Sequence, residues 1–163
     1  MTSKIARRLG TLLPAVATAA LLFTGSAAAQ PSIPATAATG HRIQIHEIFY
    51  NSPGPDDGSN ASLNAEYVIL QNNTGHRVTI THWTVTDRAH HTYKFGRKTL
   101  AAHAVVLVHT GSHRNQGFNV YWGRHAYAWS NTGDTAVLKN ARGTVKDRCS
   151  YSDPHQRHPS HRC

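Results

Sequence analysis

Between Glu66 and Tyr151 the chain alternates short β-branched and aromatic runs with turns rich in Asn, Asp and Gly, and no stretch carries the apolar period of an amphipathic helix. A chain patterned this way buries its apolar residues by pairing strands and stacking sheets. Arg42–His46 alternates polar and apolar, as a half-buried strand does. Glu66–Gln71 is apolar on both alternate sets, as suits a central strand. Arg77–Ile80, Trp83–Thr86, Thr92–Phe95, Ala104–His109, Tyr127–Trp129, Thr135–Lys139 and Thr144–Tyr151 follow. Asn51–Asn60 and Thr110–Asn119 read as loops. The pattern predicts an antiparallel β-sandwich of about 7–9 short strands, with Trp83 in its core.

The ends speak to compartment. Lys4, Arg7 and Arg8 precede an apolar stretch from Leu9 to Phe23 and an Ala27-Ala28-Ala29 cleavage pattern, so residues 1–29 read as a secretory signal peptide cut after about Ala29. Pro14 and the shortness of the run argue against a spanning helix. Residues 30–40, rich in Pro, Ala and Thr, read as a flexible leader. The expected folded domain covers 41–152, and 153–163 is an irregular, histidine-rich tail. The two cysteines, Cys149 and Cys163, favour a disulfide in an oxidising compartment; a metal site is the weaker alternative, since no Cys-x-x-Cys pair exists.

Charge bears on partners. The chain holds 17 Lys and Arg against 8 Asp and Glu, and it stays basic after loss of the signal. Such a surface favours anionic partners, whether nucleic acid, wall polymer or acidic polysaccharide. Thirteen histidines predict tighter binding to anionic surfaces in mild acid.

Particular motifs carry a family resemblance. Ile45-x-Glu47-Ile48-x-Tyr50-Asn51 opens the domain, followed by Asn64-Ala65-Glu66-Tyr67-Val68. Asn73-Thr74-Gly75 leads to Val78 and to Trp83-Thr84-Val85-x-Asp87; Tyr93-x-Phe95, Leu100 and Gly133-Asp134-x-Ala136-x-Leu138 complete the set. In order and spacing these resemble the lamin tail domain family, over about His41 to Tyr151. The chain departs where His82 replaces a glycine before the tryptophan and where Ala102-His103 replaces a Pro-Gly turn. The resemblance implies an immunoglobulin-like sandwich and a secreted, non-catalytic module that binds proteins, nucleic acid or surfaces.

Catalytic signatures are sparse: there is no Gly-x-Ser-x-Gly, no His-Glu-x-x-His and no phosphate-cradling glycine loop. Glu66, at the start of a central strand, is expected to tie down a neighbouring loop. Asp56-Asp57-Gly58-Ser59-Asn60 collects hard oxygen ligands and reads as an Asx-type turn, with a calcium site as the alternative. His155-x-x-His158-x-x-His161 is the best metal candidate by spacing, though Pro154 and Pro159 interrupt any helix. Tyr121-Trp122-Gly123-Arg124-His125 pairs aromatics with a guanidinium in one loop, suited either to stacking on sugars or bases or to plugging one end of the sandwich. No cofactor is expected. The leading expectation is a binding module for a protein, cell-wall or polyanion partner. A small metal-dependent hydrolase or nuclease, with histidines and Asp56 and Asp57 around a cation, and a metal-sequestering tail are the alternatives.

Overall fold

The computed structural model describes residues 43–163. The expected signal peptide (1–29) and leader (30–40) lie outside the described residues. Among those described, no helix is long and apolar enough to cross a membrane.

The first strand, β1 (Ile43–Phe49), buries Ile43, Ile45 and Ile48. A bulge at His46 shifts the register between Ile45 and Glu47. The Ile45 N–H then donates to Asp147 Oδ2 at 2.7 Å, which ties β1 to the opposite sheet. After the 51–59 loop comes a six-residue helix, α1 (Asn60–Ala65), which the apolar pattern does not announce. Ser59 caps it by accepting from the Ser62 N–H.

The chain then runs through β2 (Tyr67–Asn72), β3 (Val78–Thr79), β4 (Thr84–Thr86), β5 (Thr92–Lys94), β6 (Thr99–Leu100) and β7 (Val105–His109). It ends with β8 (Asn119–Tyr121), β9 (Gly133–Lys139), β10 (Val145–Ser152) and β11 (Ser160–Arg162). A five-stranded sheet in the order β11-β1-β2-β7-β8 packs on a four-stranded sheet in the order β10-β9-β4-β5, with β3 and β6 as a separate pair. All pairings are antiparallel except β7–β8.

Between the sheets, Ile45, Val68, Leu70, Val106 and Val108 meet Val85, Ala136, Leu138 and Tyr151. Trp129 and Phe95 are the largest fully buried side chains. Trp83 is only half-buried and packs against the edge of this core, so Trp129, not Trp83, fills the centre.

Three other expectations are corrected. Tyr127–Trp129 is not a strand, because the Ala128 N–H donates to the Glu66 side chain instead of a ladder. Residues 119–121, within and beyond the expected loop, form the edge strand β8 beside β7. The tail is not irregular throughout: β11 pairs with β1 and continues the five-stranded sheet past residue 152. The Cys149–Cys163 disulfide is present and joins β10 to the residue after β11.

Alternation gives each sheet an outer face. Across the five-stranded sheet, Phe49, Tyr67, His109 and Tyr121 stand in register on four adjacent strands. Their ring centroids follow at 4.6, 5.2 and 4.9 Å. Across the four-stranded sheet the rows read Lys94-Thr84-Lys139-Val145 and Thr92-Thr86-Val137-Arg148.

Candidate functional site

Glu66 sits just before β2 and is completely buried. Its Oε1 accepts from the Thr110 hydroxyl at 2.6 Å and from the Ala128 N–H at 2.8 Å. Among the described residues Oε2 has no hydrogen-bond partner, and neither does the buried Trp129 Nε1. Burial pushes the carboxyl up to about 7, against the lowering effect of the bonds from Thr110 and Ala128. The residue thus fastens two loops, one after β7 and one before β9, to the head of β2, which is the structural role expected of it. Around it Tyr127 Oη lies 2.7 Å from Ser62 Oγ, and Asp56 accepts from Ser52 and Asn131. This end of the sandwich is closed by hydrogen bonds internal to the chain.

The calcium alternative for Asp56–Asn60 does not match the geometry. Asp57 Oδ1 accepts from the Ser59 N–H at 2.8 Å, forming an Asx turn, while Asp56 faces Ser52 and Asn131. The two carboxylates therefore serve different partners. His155, His158 and His161 are likewise not brought together as a ligand set. Asp153 accepts from the Arg157 and His158 N–H groups and from the Tyr50 hydroxyl, folding 153–158 into a tight turn. His161, on β11, lies over Tyr151, with centroids 6.1 Å apart. Among the described residues no three His, Cys, Asp or Glu side chains gather as a metal-binding group.

Tyr121, Trp122, Arg124 and His125 are divided by strand alternation. Tyr121 points outward and stacks on His109. Trp122 packs inward against Tyr93 and Trp129, at 6.0 and 6.2 Å. Arg124 lies over the Trp122 ring at 5.7 Å and donates to the Ala126 and Tyr127 carbonyls. His125 is exposed. Of the two readings of this segment, the plug describes Trp122 and Arg124. The cue available in sequence was Val120-Tyr121-Trp122 itself, a β-prone run whose alternate members must face opposite ways.

The order of strands, the Asn73-Thr74-Gly75 turn after β2 and the Gly133-Asp134 entry to β9 all fall where the motifs of the resemblance fall. The sequence matches the family model described as Lamin Tail Domain over residues 36–153. The chain belongs to the lamin tail domain family. Among curated proteins, none matches it. Membership makes this lamin tail domain an immunoglobulin-like interaction module. Its departures keep the backbone shape they replace: His82 and His103 take φ of 64° and 59°, left-handed values usual for glycine. Gly133 is needed for close approach, since a Cβ there would meet the Tyr151 carbonyl oxygen at 2.9 Å.

Charge in this lamin tail domain is arranged unevenly. All eight carboxylates are engaged inside the chain. Glu47 takes Ser160 and Arg162; Asp87 takes His91; Asp134 takes the Arg88, Ser130 and Thr135 N–H groups; Asp147 takes the Ile45 and Arg148 N–H groups. Asp56, Asp57, Glu66 and Asp153 are held as described above. The cations are not matched in return. Among the described Lys and Arg residues, only the Arg88 and Arg162 side chains come within 4.0 Å of a carboxylate.

Proposed function

We propose that this chain is an exported, non-catalytic interaction module that binds an anionic extracellular or cell-wall partner. One observation carries the reading: acidic side chains act as caps and ties for the chain's own backbone and hydroxyl groups, leaving most of the described Lys and Arg residues without a counter-charge among the described residues. A carboxylate that accepts backbone N–H bonds stabilises a turn and no longer neutralises the surface. The resulting positive field attracts polyanions and speeds their encounter. The export half of the proposal rests on the signal-peptide pattern of residues 1–29.

Co-sedimentation of the purified protein with washed cell walls, over a salt series, tests it. Retention that weakens steadily with salt and disappears after the wall's anionic polymers are stripped is expected. Retention indifferent to both treatments, or none at low salt, would refute an anionic partner.

A further inference from the structure

The cations are not spread evenly. On the outer face of the four-stranded sheet, Lys94, Lys139 and Arg148 project from β5, β9 and β10, and none of them has an ion-pair partner among the described residues. Threonine hydroxyls from Thr84, Thr86 and Thr135 lie between them in the same rows or beside them on β9. Part of this face is a shallow depression of about 380 Å3, floored by Val137 and Val145 and rimmed by Arg88, Lys139 and Arg148. The one carboxylate at its margin, Asp87, is fully buried and engaged by His91 at 2.6 Å, so it does not oppose an incoming anion.

The arrangement restricts the ligand. Strands stand about 4.8 Å apart, so Lys94 and Lys139, with Thr84 between them, are separated by roughly two such steps. Separate positive points divided by hydroxyls suit a chain of spaced anions better than one compact anion. The rows contain no Tyr, Trp or Phe. Nucleic-acid bases bind single-strand proteins by stacking on aromatic faces, and sugar rings use the same faces through their C–H edges. A face without aromatics offers neither. We infer that the outer face of the four-stranded sheet is the docking surface for a linear polymer of phosphodiester-linked open-chain polyols, with Lys94, Lys139 and Arg148 contacting phosphates and the threonines contacting polyol hydroxyls. The inference rests on the anionic-partner reading above and locates it.

The test is calorimetric titration of the full chain with a short synthetic glycerol-phosphate oligomer over a salt series, with an oligothymidylate of equal charge alongside. Two triple variants carry equal charge loss: Lys94→Gln with Lys139→Gln and Arg148→Gln on the face, and Arg77→Gln with Arg114→Gln and Arg157→Gln at exposed positions elsewhere. Circular dichroism confirms that each is folded. If the face triple is not, the single exposed Arg148→Gln replaces it, compared with Arg157→Gln alone. The face triple should lose roughly tenfold or more in affinity and lower the salt slope by about three, one per phosphate contact removed. The control triple should lose no more than about twofold, the residue of long-range attraction. Equal losses in both triples would overturn the face while leaving the anionic-partner reading intact. Binding of oligothymidylate as tight as that of glycerol phosphate would overturn the polyol assignment. Absence of binding to either polymer at low salt would overturn both this inference and the reading beneath it.

Discussion

The outer faces of the two sheets arise from the same strand alternation and end in opposite states. On the five-stranded sheet, Phe49, Tyr67, His109 and Tyr121 lie against one another across four strands, and Phe49 stacks on Tyr67 with planes 22° apart. The His109 ring is held further: Nδ1 donates to the Asn64 carbonyl at 2.7 Å and Nε2 lies 2.9 Å from the Asn119 side-chain amide. Phe49 and Tyr67 stack, as do His109 and Tyr121, and Tyr67 meets His109 at a tilt of 56°, so each ring of the row packs on at least one neighbour. On the four-stranded sheet, Lys94, Lys139 and Arg148 face solvent beside threonines and have no internal ion pair among the described residues. One face consumes its chemistry in holding the fold; the other leaves it available. A residue's type therefore does not reveal its role until its neighbours are known. Tyrosines, the usual signs of a binding surface, here serve stability.

The difference can be broken most severely at the disulfide, which ties the two sheets together. Reduction of Cys149–Cys163, or replacement of both by serine, should destabilise the protein by about 3 kcal/mol in the chain-entropy model for a loop of this length. Denaturant melts of oxidised and reduced protein measure it. Anion affinity of the still-folded fraction should be unchanged, because the cations of the four-stranded face lie on strands that remain paired.

Glu66 gives an effect of similar size with a pH signature. Its folded-state value of about 7 lies above the ordinary 4.5, the opposite of a salt-bridged carboxylate. Below about pH 4.5 both folded and unfolded chains hold the proton. As pH rises to about 7 the unfolded chain ionises first, so this group's contribution to stability falls across that window and is flat above it. The loss amounts to about 3 kcal/mol. Asp56 adds to the shift by repelling the charged form. Glu66→Gln keeps an acceptor for Thr110 and Ala128 and should remove the slope. Urea melts of both proteins between pH 4.5 and 7.5 that ran parallel would show that burial does not hold the proton on Glu66.

Tyr67→Ala interrupts the aromatic row at its centre, between Phe49 and His109. A loss of about 2 kcal/mol is expected, from half-buried apolar area and two ring contacts. The comparison between faces predicts that polyanion affinity stays within about twofold. A large loss of affinity with little loss of stability would mean that this row, not the opposite face, meets the partner.

How much of this was legible in the sequence follows from where each signal resides. Strands β1, β2, β7, β9 and β10 were readable because alternation or a continuous apolar run is local and long enough to be seen. The disulfide was readable because two cysteines allow one intramolecular pairing. The helix α1 was not, since six residues of Asn, Ala, Ser and Leu show no period; Ser59 was its one local cue. β8 owes its strand form to parallel pairing with β7, and β11 to β1 and the disulfide. Such long-range causes leave no local trace. At Tyr127–Trp129 the β-propensity was real, but a buried carboxylate took the Ala128 N–H. For the candidate site, the excess of basic residues was plain. Which cations would be left unpaired depended on carboxylates finding backbone N–H groups far along the chain, as Asp147 does with Ile45.

Histidine shows the same dependence on place, at the smallest scale. His82, His90 and His103 are exposed and adopt positive φ, so three of the thirteen histidines act as turn residues. Left-handed backbone strains any residue with a Cβ, and glycine relieves that strain at the cost of a more flexible unfolded chain. At His103 the N–H already donates to the Thr74 carbonyl at 3.3 Å, so the turn is held by backbone whatever the side chain. His103→Gly should therefore stabilise the protein by about 0.5 kcal/mol, the strain relieved less the entropy lost. A pair of chemical melts against the parent resolves that difference. The same variant should leave polyanion affinity in mild acid unaltered, because His103 lies outside the rows of the four-stranded face. If affinity at mildly acid pH fell with this single change, protonated turn histidines would be part of the binding surface. The contrast between a structural and a binding face would then have to be redrawn around the turns that join them.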